Sequence, residues 1–230
     1  MANASSNSDS SLKEILAVFR KEALGEARSQ TGLMTAGLFG LVAVVSIAFA
    51  AYGMKLAGTL SAGLLWVALM FSASLTLPRA MLQEEETGTA DLLRQWSRPH
   101  PVYWGKTLFN AALMTFEGVL LAILFVVFTE QTPASWPLLL CATVSGCISL
   151  AGAVTLCGVL VARAANRSAL AAAIAAPLLL PLASLGVGAM RSAFGDGAIV
   201  QGWQLTGAMA GYATTLLAIG PYLYAAVWKT

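Results

Sequence analysis

Six long apolar stretches, broken by short polar turns, run along this chain at roughly 33–54, 56–78, 108–128, 136–161, 168–190 and 203–228. A helix needs about 20 apolar residues to cross the hydrocarbon of a bilayer. Each stretch is long enough, so the pattern predicts six transmembrane helices. Residues 11–30 follow another rule. Leu12, Ile15, Leu16, Phe19 and Ala23 recur at helical spacing, and Lys13, Glu14, Arg20, Lys21, Glu22, Glu26 and Arg28 mostly fill the remaining positions. This predicts an amphipathic helix lying at the membrane surface, with Ser11-Leu12-Lys13-Glu14 fitting a capping box at its start. Residues 1–10, MANASSNSDS, lack the basic start and apolar core of a signal peptide and read as a disordered tail. The predicted fold is therefore all-α: one polytopic membrane domain over 11–230.

Composition agrees with the pattern. The chain is 58% hydrophobic and only 10% charged, whereas a soluble domain carries about 25% charged residues. Such a chain cannot keep a soluble surface. Net charge is +2, with no basic run of the kind that binds nucleic acid. The placement of charge is more informative than its sum. Cytoplasmic loops carry excess Lys and Arg. Lys13, Arg20, Lys21, Arg28, Arg79, Arg94, Arg98, Lys106, Arg163, Arg167 and Lys229 fall on one side of the six-span scheme, and only Lys55 and Arg191 on the other. Both termini are therefore expected in the cytoplasm. Trp96, Trp104 and Trp228 near the inner boundary, and Trp136 and Trp203 near the outer one, suit interfacial anchors. The non-cytoplasmic loops are too short to build a second domain.

One polar island, 79–106, interrupts the apolar chain. It holds Glu84, Glu85, Glu86, Asp91 and the single histidine, His100. Within it, Gly88 permits a turn, Thr89 is a candidate cap, and Asp91 suits the positive end of a new helix. Leu92, Leu93 and Trp96 give that short helix an apolar side, and Pro99 is expected to end it. A short amphipathic helix in a cytoplasmic loop can receive a push from a soluble partner.

Other candidates for chemistry are sparse. Gly105-Lys106-Thr107 ends like a phosphate-binding loop, but His100 stands where the first glycine belongs, between two prolines. ATP is therefore not bound there, and Lys106 is expected to anchor the start of the third span. His100 reads as a solvated loop residue. Cys141, Cys147 and Cys157 share one apolar segment at spacings that repeat no helical face and read as small core residues, not metal ligands. Glu117 differs, since it falls near the middle of the third span. An ionised carboxylate there costs at least about 2.5 kcal/mol, so it must be protonated, paired or beside a polar cavity. It is either a gate residue or a neutral side chain hydrogen-bonded to a neighbouring helix. Pro177 and Pro181, four apart in the fifth span, share a face and are expected to kink or break it. Gly207 and Gly211 form a G-x-x-x-G pair in the sixth span.

The order of these parts resembles a known family. An amphipathic helix, two spans, an acidic-Gly-Thr-x-Asp-x-Leu segment and four more spans are similar to the haem exporter protein B family. That family supplies the membrane subunit of the ABC transporter of cytochrome c maturation. The resemblance rests on Leu82–Leu93 (LQEEETGTADLL), the Gly105–Asn110 start of the third span (GKTLFN), and the Ala176–Leu182 run (APLLLPL). It implies a non-catalytic permease subunit of the bacterial inner membrane. Glu84, Glu85, Glu86, Gly88, Thr89, Asp91, Leu92 and Leu93 would couple it to a separate ATPase subunit, which binds the ATP. Glu117, Pro177 and Pro181 would be gate candidates. The implied partners are that ATPase, a haem-handling membrane subunit, a small single-span subunit, a second copy of this chain and membrane lipids. Haem would belong to the complex, with no ligand set for it visible in this chain. An export permease for a lipid, drug or polysaccharide fits the same topology. A membrane-embedded enzyme would need partners for Glu117, and a passive scaffold would not need the acidic island.

Overall fold

The computed structural model describes the backbone of residues 2–29, 31–86, 97–161 and 167–228, and side chains within 11–29, 34–75, 97–161, 170 and 173–228. These residues form seven helices: α1 (Ala2–Ser29), α2 (Thr31–Ala50), α3 (Gly58–Glu86), α4 (Pro99–Phe128), α5 (Trp136–Val161), α6 (Arg167–Ala193) and α7 (Ile199–Trp228). No strand occurs among the described residues.

Several boundaries differ from the sequence reading. Helical backbone in α1 begins at Ala2, so it takes in residues set apart as a tail, and no helix start falls at Ser11. Helix α3 continues past the apolar stretch to Glu86, which makes Glu84, Glu85 and Glu86 its last turn. Helix α4 starts at Pro99 instead of near 108, so His100 lies in a first helical turn, not in a loop. The two prolines are harmless there because the first-turn N–H groups have no partner within the helix to lose. Arg98, extended at φ −88° and ψ 146°, is the residue before that turn.

Helix α5 is the hub. Of its most apolar stretch 78% is buried in the bundle, against 22% for that of α6. It packs against α3, α4, α6 and α7. Small residues allow this, since interhelical packing within lipid rests on close backbone approach. Trp66 of α3, only 1% exposed, is wedged between Gly146 of α5 and Gly186 of α6. A Cβ added at Gly146 would lie 2.7 Å from the indole Cζ3. Gly118 of α4 likewise sits flush against the Cys147 thiol of α5.

The two ends of the bundle are held differently. At one end Ser135 N–H donates to the Ala193 carbonyl (3.2 Å). There too Asp196, in the α6–α7 turn, accepts from the Thr59 N–H (2.6 Å) and so caps the start of α3. Gly195 makes that turn with φ +97°, a backbone conformation that glycine adopts without strain. At the other end the start of α4 meets α1 and the last turns of α7: His100 stacks edge-on with Tyr222 at 5.7 Å, and Tyr103 lies 5.8 Å from Tyr224. Helix α1 and the carboxyl end of α7 therefore share one end of the molecule.

By length and apolarity, four helical segments can cross a membrane: Gly58–Leu75, Pro99–Phe128, Trp136–Val161 and Ala173–Ala193. A fifth candidate is the pair Ser11–Ser29 and Met34–Ala50, bent by 68°. This makes four to five among the described residues, against the six expected. Helix α7 has the length but is diluted by Gln201, Gln204, Thr206, Thr214, Thr215 and four glycines.

Candidate functional site

Of the proposed coupling residues, Glu84, Glu85 and Glu86 close α3, whereas Gly88, Thr89, Asp91, Leu92 and Leu93 lie outside the described residues. Arg98 and the first turns of α4 form a charged junction with α1. Arg98 Nη2 donates to Glu14 Oε1 at 2.7 Å, and its Nε donates to Oε2 at 3.2 Å, so one guanidinium grips both oxygens of a carboxylate on α1. The hydrogen bond to Glu14, and then the carboxylate's charge, raise the Arg98 pKa above its ordinary value. Two turns on, Lys106 Nζ donates to Glu22 Oε1 at 2.8 Å. The lysine is 1% exposed, which places its ammonium among packed side chains.

The groups between these ion pairs fit as closely. A Cβ at Gly105 would stand 2.6 Å from Val18 Cβ and 2.9 Å from the Ile15 carbonyl oxygen, so only glycine lets α1 come this near. Phe19 meets Phe109 edge-on at 6.0 Å. The contact face of α1 is thus Glu14, Ile15, Val18, Phe19 and Glu22. Leu12 and Leu16, which the sequence placed on one face with Ile15 and Phe19, point outward and are 65% and 66% exposed. Lys106 sits inside a helix and cannot belong to a phosphate-binding loop.

The second candidate lies deep in the bundle. Glu117 of α4 is 2% exposed, and its Oε1 accepts a hydrogen bond from Ser72 of α3. Its Oε2 has no hydrogen-bond partner among the described residues. The buried Cys147 of α5 packs beside it, against Gly118. Two turns away on α4, Asn110 Nδ2 donates to Thr155 Oγ1 of α5 at 3.0 Å. Ser149 ties α5 to the Met209 carbonyl of α7 at 3.0 Å. Buried polar groups at membrane depth are costly unless satisfied, so this seam fixes how α3, α4, α5 and α7 face one another.

Pro177 and Pro181 do not join it. Both lie on the exposed side of α6, beside the outward Leu180, while Glu117 faces the interior. Helix α6 remains one helix through both prolines. Side chains supply donors around them: Tyr212 Oη to the Leu178 carbonyl (2.9 Å) and Ser184 Oγ to that of Pro181 (2.7 Å). Sequence reasoning missed Ser72 as the partner of Glu117, and both α1–α4 ion pairs. A signal for the latter was present: Glu14 and Glu22 are eight apart, as are Arg98 and Lys106.

Among the described residues no three His, Cys, Asp or Glu side chains gather as metal ligands. The arrangement consists of a packed membrane bundle and, at one end, a charged junction beside an acidic segment. Comparison with curated proteins gives no match. The family model described as CcmB protein matches residues 13–229, which includes both the junction and the buried seam. Nearly the whole chain is covered, and the protein belongs to the CcmB family, the membrane component of haem-exporter ABC transporters.

Proposed function

We propose that this chain is the permease subunit of an ABC transporter serving haem handling in c-type cytochrome assembly, driven by ATP hydrolysis on a separate ATPase subunit. The match to the CcmB family over residues 13–229 carries this reading. The chain crosses the bacterial inner membrane six times, with α2 and α7 as the first and last spans and both termini in the cytoplasm. Residues 84–93 dock on the ATPase, with Glu84, Glu85, Glu86 and Asp91 supplying charge and Leu92 and Leu93 the apolar contact. Two copies pair with two ATPase subunits, beside a haem-handling subunit and a small single-span subunit. Glu117 acts as an intramembrane gate residue, and Pro177 and Pro181 give α6 its freedom to bend.

The test is complementation. In a strain lacking its own permease subunit, this chain restores covalent c-type cytochromes and co-purifies with the ATPase. Gly88→Pro and Asp91→Lys leave the chain inserted and uncouple ATP hydrolysis from cytochrome yield. Association with an ATPase but no rescue would instead favour an export permease for a lipid, drug or polysaccharide.

A further inference from the structure

The paired charges between α1 and α4 call for an explanation beyond stability. Burying an ion pair gains little over an apolar pair of the same shape, because desolvation offsets the attraction. Lys106, at 1% exposure, and Glu22 could together be replaced at small cost by apolar side chains of the same shape if α1 needed only to stick. Fixing register is what a buried pair does well. Here both pairs enforce the same register, since each cation lies 84 residues after its carboxylate. Gly105 closes the gap between them, and the Phe19–Phe109 contact continues the same alignment. Sliding or rolling α1 by one residue would break all of these together.

Position gives the register a use. The coupling residues 84–93 stand in the chain between the body of α3 and Arg98, so a displacement of that segment is passed to α3 on one side and to Arg98 and the start of α4 on the other. Helix α1 is bound to that start, and α1 joins α2 across a bend of 68°. Helix α2 in turn leans on α4 through Gly40, where an added Cβ would meet Leu121 Cδ2 at 3.0 Å. We infer that Glu14–Arg98 and Glu22–Lys106 are positioning pairs that make α1 and the start of α4 one rigid lever, which carries movement of the coupling segment into α2. This rests on the transporter reading above, in which the coupling segment receives work from an ATPase.

The experiment uses the full chain in nanodiscs, alone and with its ATPase. The variants are Lys106→Met, Glu22→Gln, the surface variant Glu14→Gln, and the charge exchange Glu22→Lys with Lys106→Glu. In the chain alone, amide exchange over residues 14–22 rises about tenfold in Lys106→Met and Glu22→Gln, reports local opening of α1, and falls back in the charge exchange. In the complex, ATP turnover and co-purification persist in the single variants while cytochrome yield drops several-fold, and the charge exchange restores the yield. Should Lys106→Met fail to fold, Glu14→Gln carries the test in the same direction. Unchanged α1 exchange, or faster exchange with full yield, overturns the inference. A wild-type chain that neither binds an ATPase nor supports cytochrome assembly overturns the transporter reading, and the lever with it. That result is separable because it appears before any variant is made.

Discussion

Trp66 and its two glycines allow a sharp test of how the bundle is held together. Consider Gly186→Ala. The new methyl would lie 2.6 Å from Trp66 Cε3 and closer still to Cζ3, so the indole has to move. Gly146 crowds the same ring, since a Cβ there would sit 2.9 Å from Cη2. Overpacking of this kind costs about 1–3 kcal/mol. Replacing a mid-helix glycine by alanine recovers about 1 kcal/mol of backbone propensity. The net change is therefore a destabilisation of about 0–2 kcal/mol. In a Trp66→Leu background the clashing ring atoms are gone, only the propensity gain remains, and the same substitution stabilises by up to about 1 kcal/mol. The sign inverts, and the coupling between the two sites is about 1–3 kcal/mol. Reversible denaturation of the four chains in mixed micelles, followed by tryptophan-independent circular dichroism, measures it. An equal effect of Gly186→Ala in both backgrounds would refute the wedge.

Further outcomes follow from other contacts. Asp196→Ala removes the cap of α3 and lowers stability by about 1 kcal/mol, read as a drop in Tm, while Asp196→Asn keeps an acceptor and most of the stability. Glu117→Gln keeps an acceptor for Ser72 and changes stability by less than about 1 kcal/mol, yet cytochrome yield falls; retained yield would remove Glu117 from the gate. Gly105→Leu drives a side chain into Val18 and the Ile15 backbone, and protease cleavage within α1 becomes faster than in the parent chain. Because its pKa is raised above the ordinary arginine value, Arg98 stays charged, so the Glu14–Arg98 contact responds to salt, not to deprotonation of the arginine between pH 6 and 9. Protease resistance of α1 that collapses over that range would contradict this.

Helices whose boundaries follow hydropathy were legible in the chain, and α5 is found where its apolar run placed it. The start of α4 was not, because Pro99 and Pro101 read as helix breakers until one sees that they occupy the only turn where proline loses nothing. The sides of α1 were half legible. Its spacing revealed a helix, but two faces are apolar, and which one meets protein is decided by Gly105 and Lys106, far along the chain. Glu117 stood out as a buried carboxylate, while its partner did not, since Ser72 is one of several serines in apolar runs and only the folded register aligns it. Trp66 looked like any other apolar residue of its span. Its role depends on Gly146 and Gly186, which sequence separation hides. Pro177 and Pro181 suggested a kinked or broken helix, yet α6 runs on as one helix, and their spacing alone could not reveal that they lie on its exposed side.

The Asp196 cap has a practical corollary for anyone labelling this protein. The turn between α6 and α7 resembles a convenient insertion point, being short, polar and at the surface, but its carboxylate seats a helix 137 residues upstream. A fluorophore or epitope grafted there would unseat α3 and shift Trp66 with it.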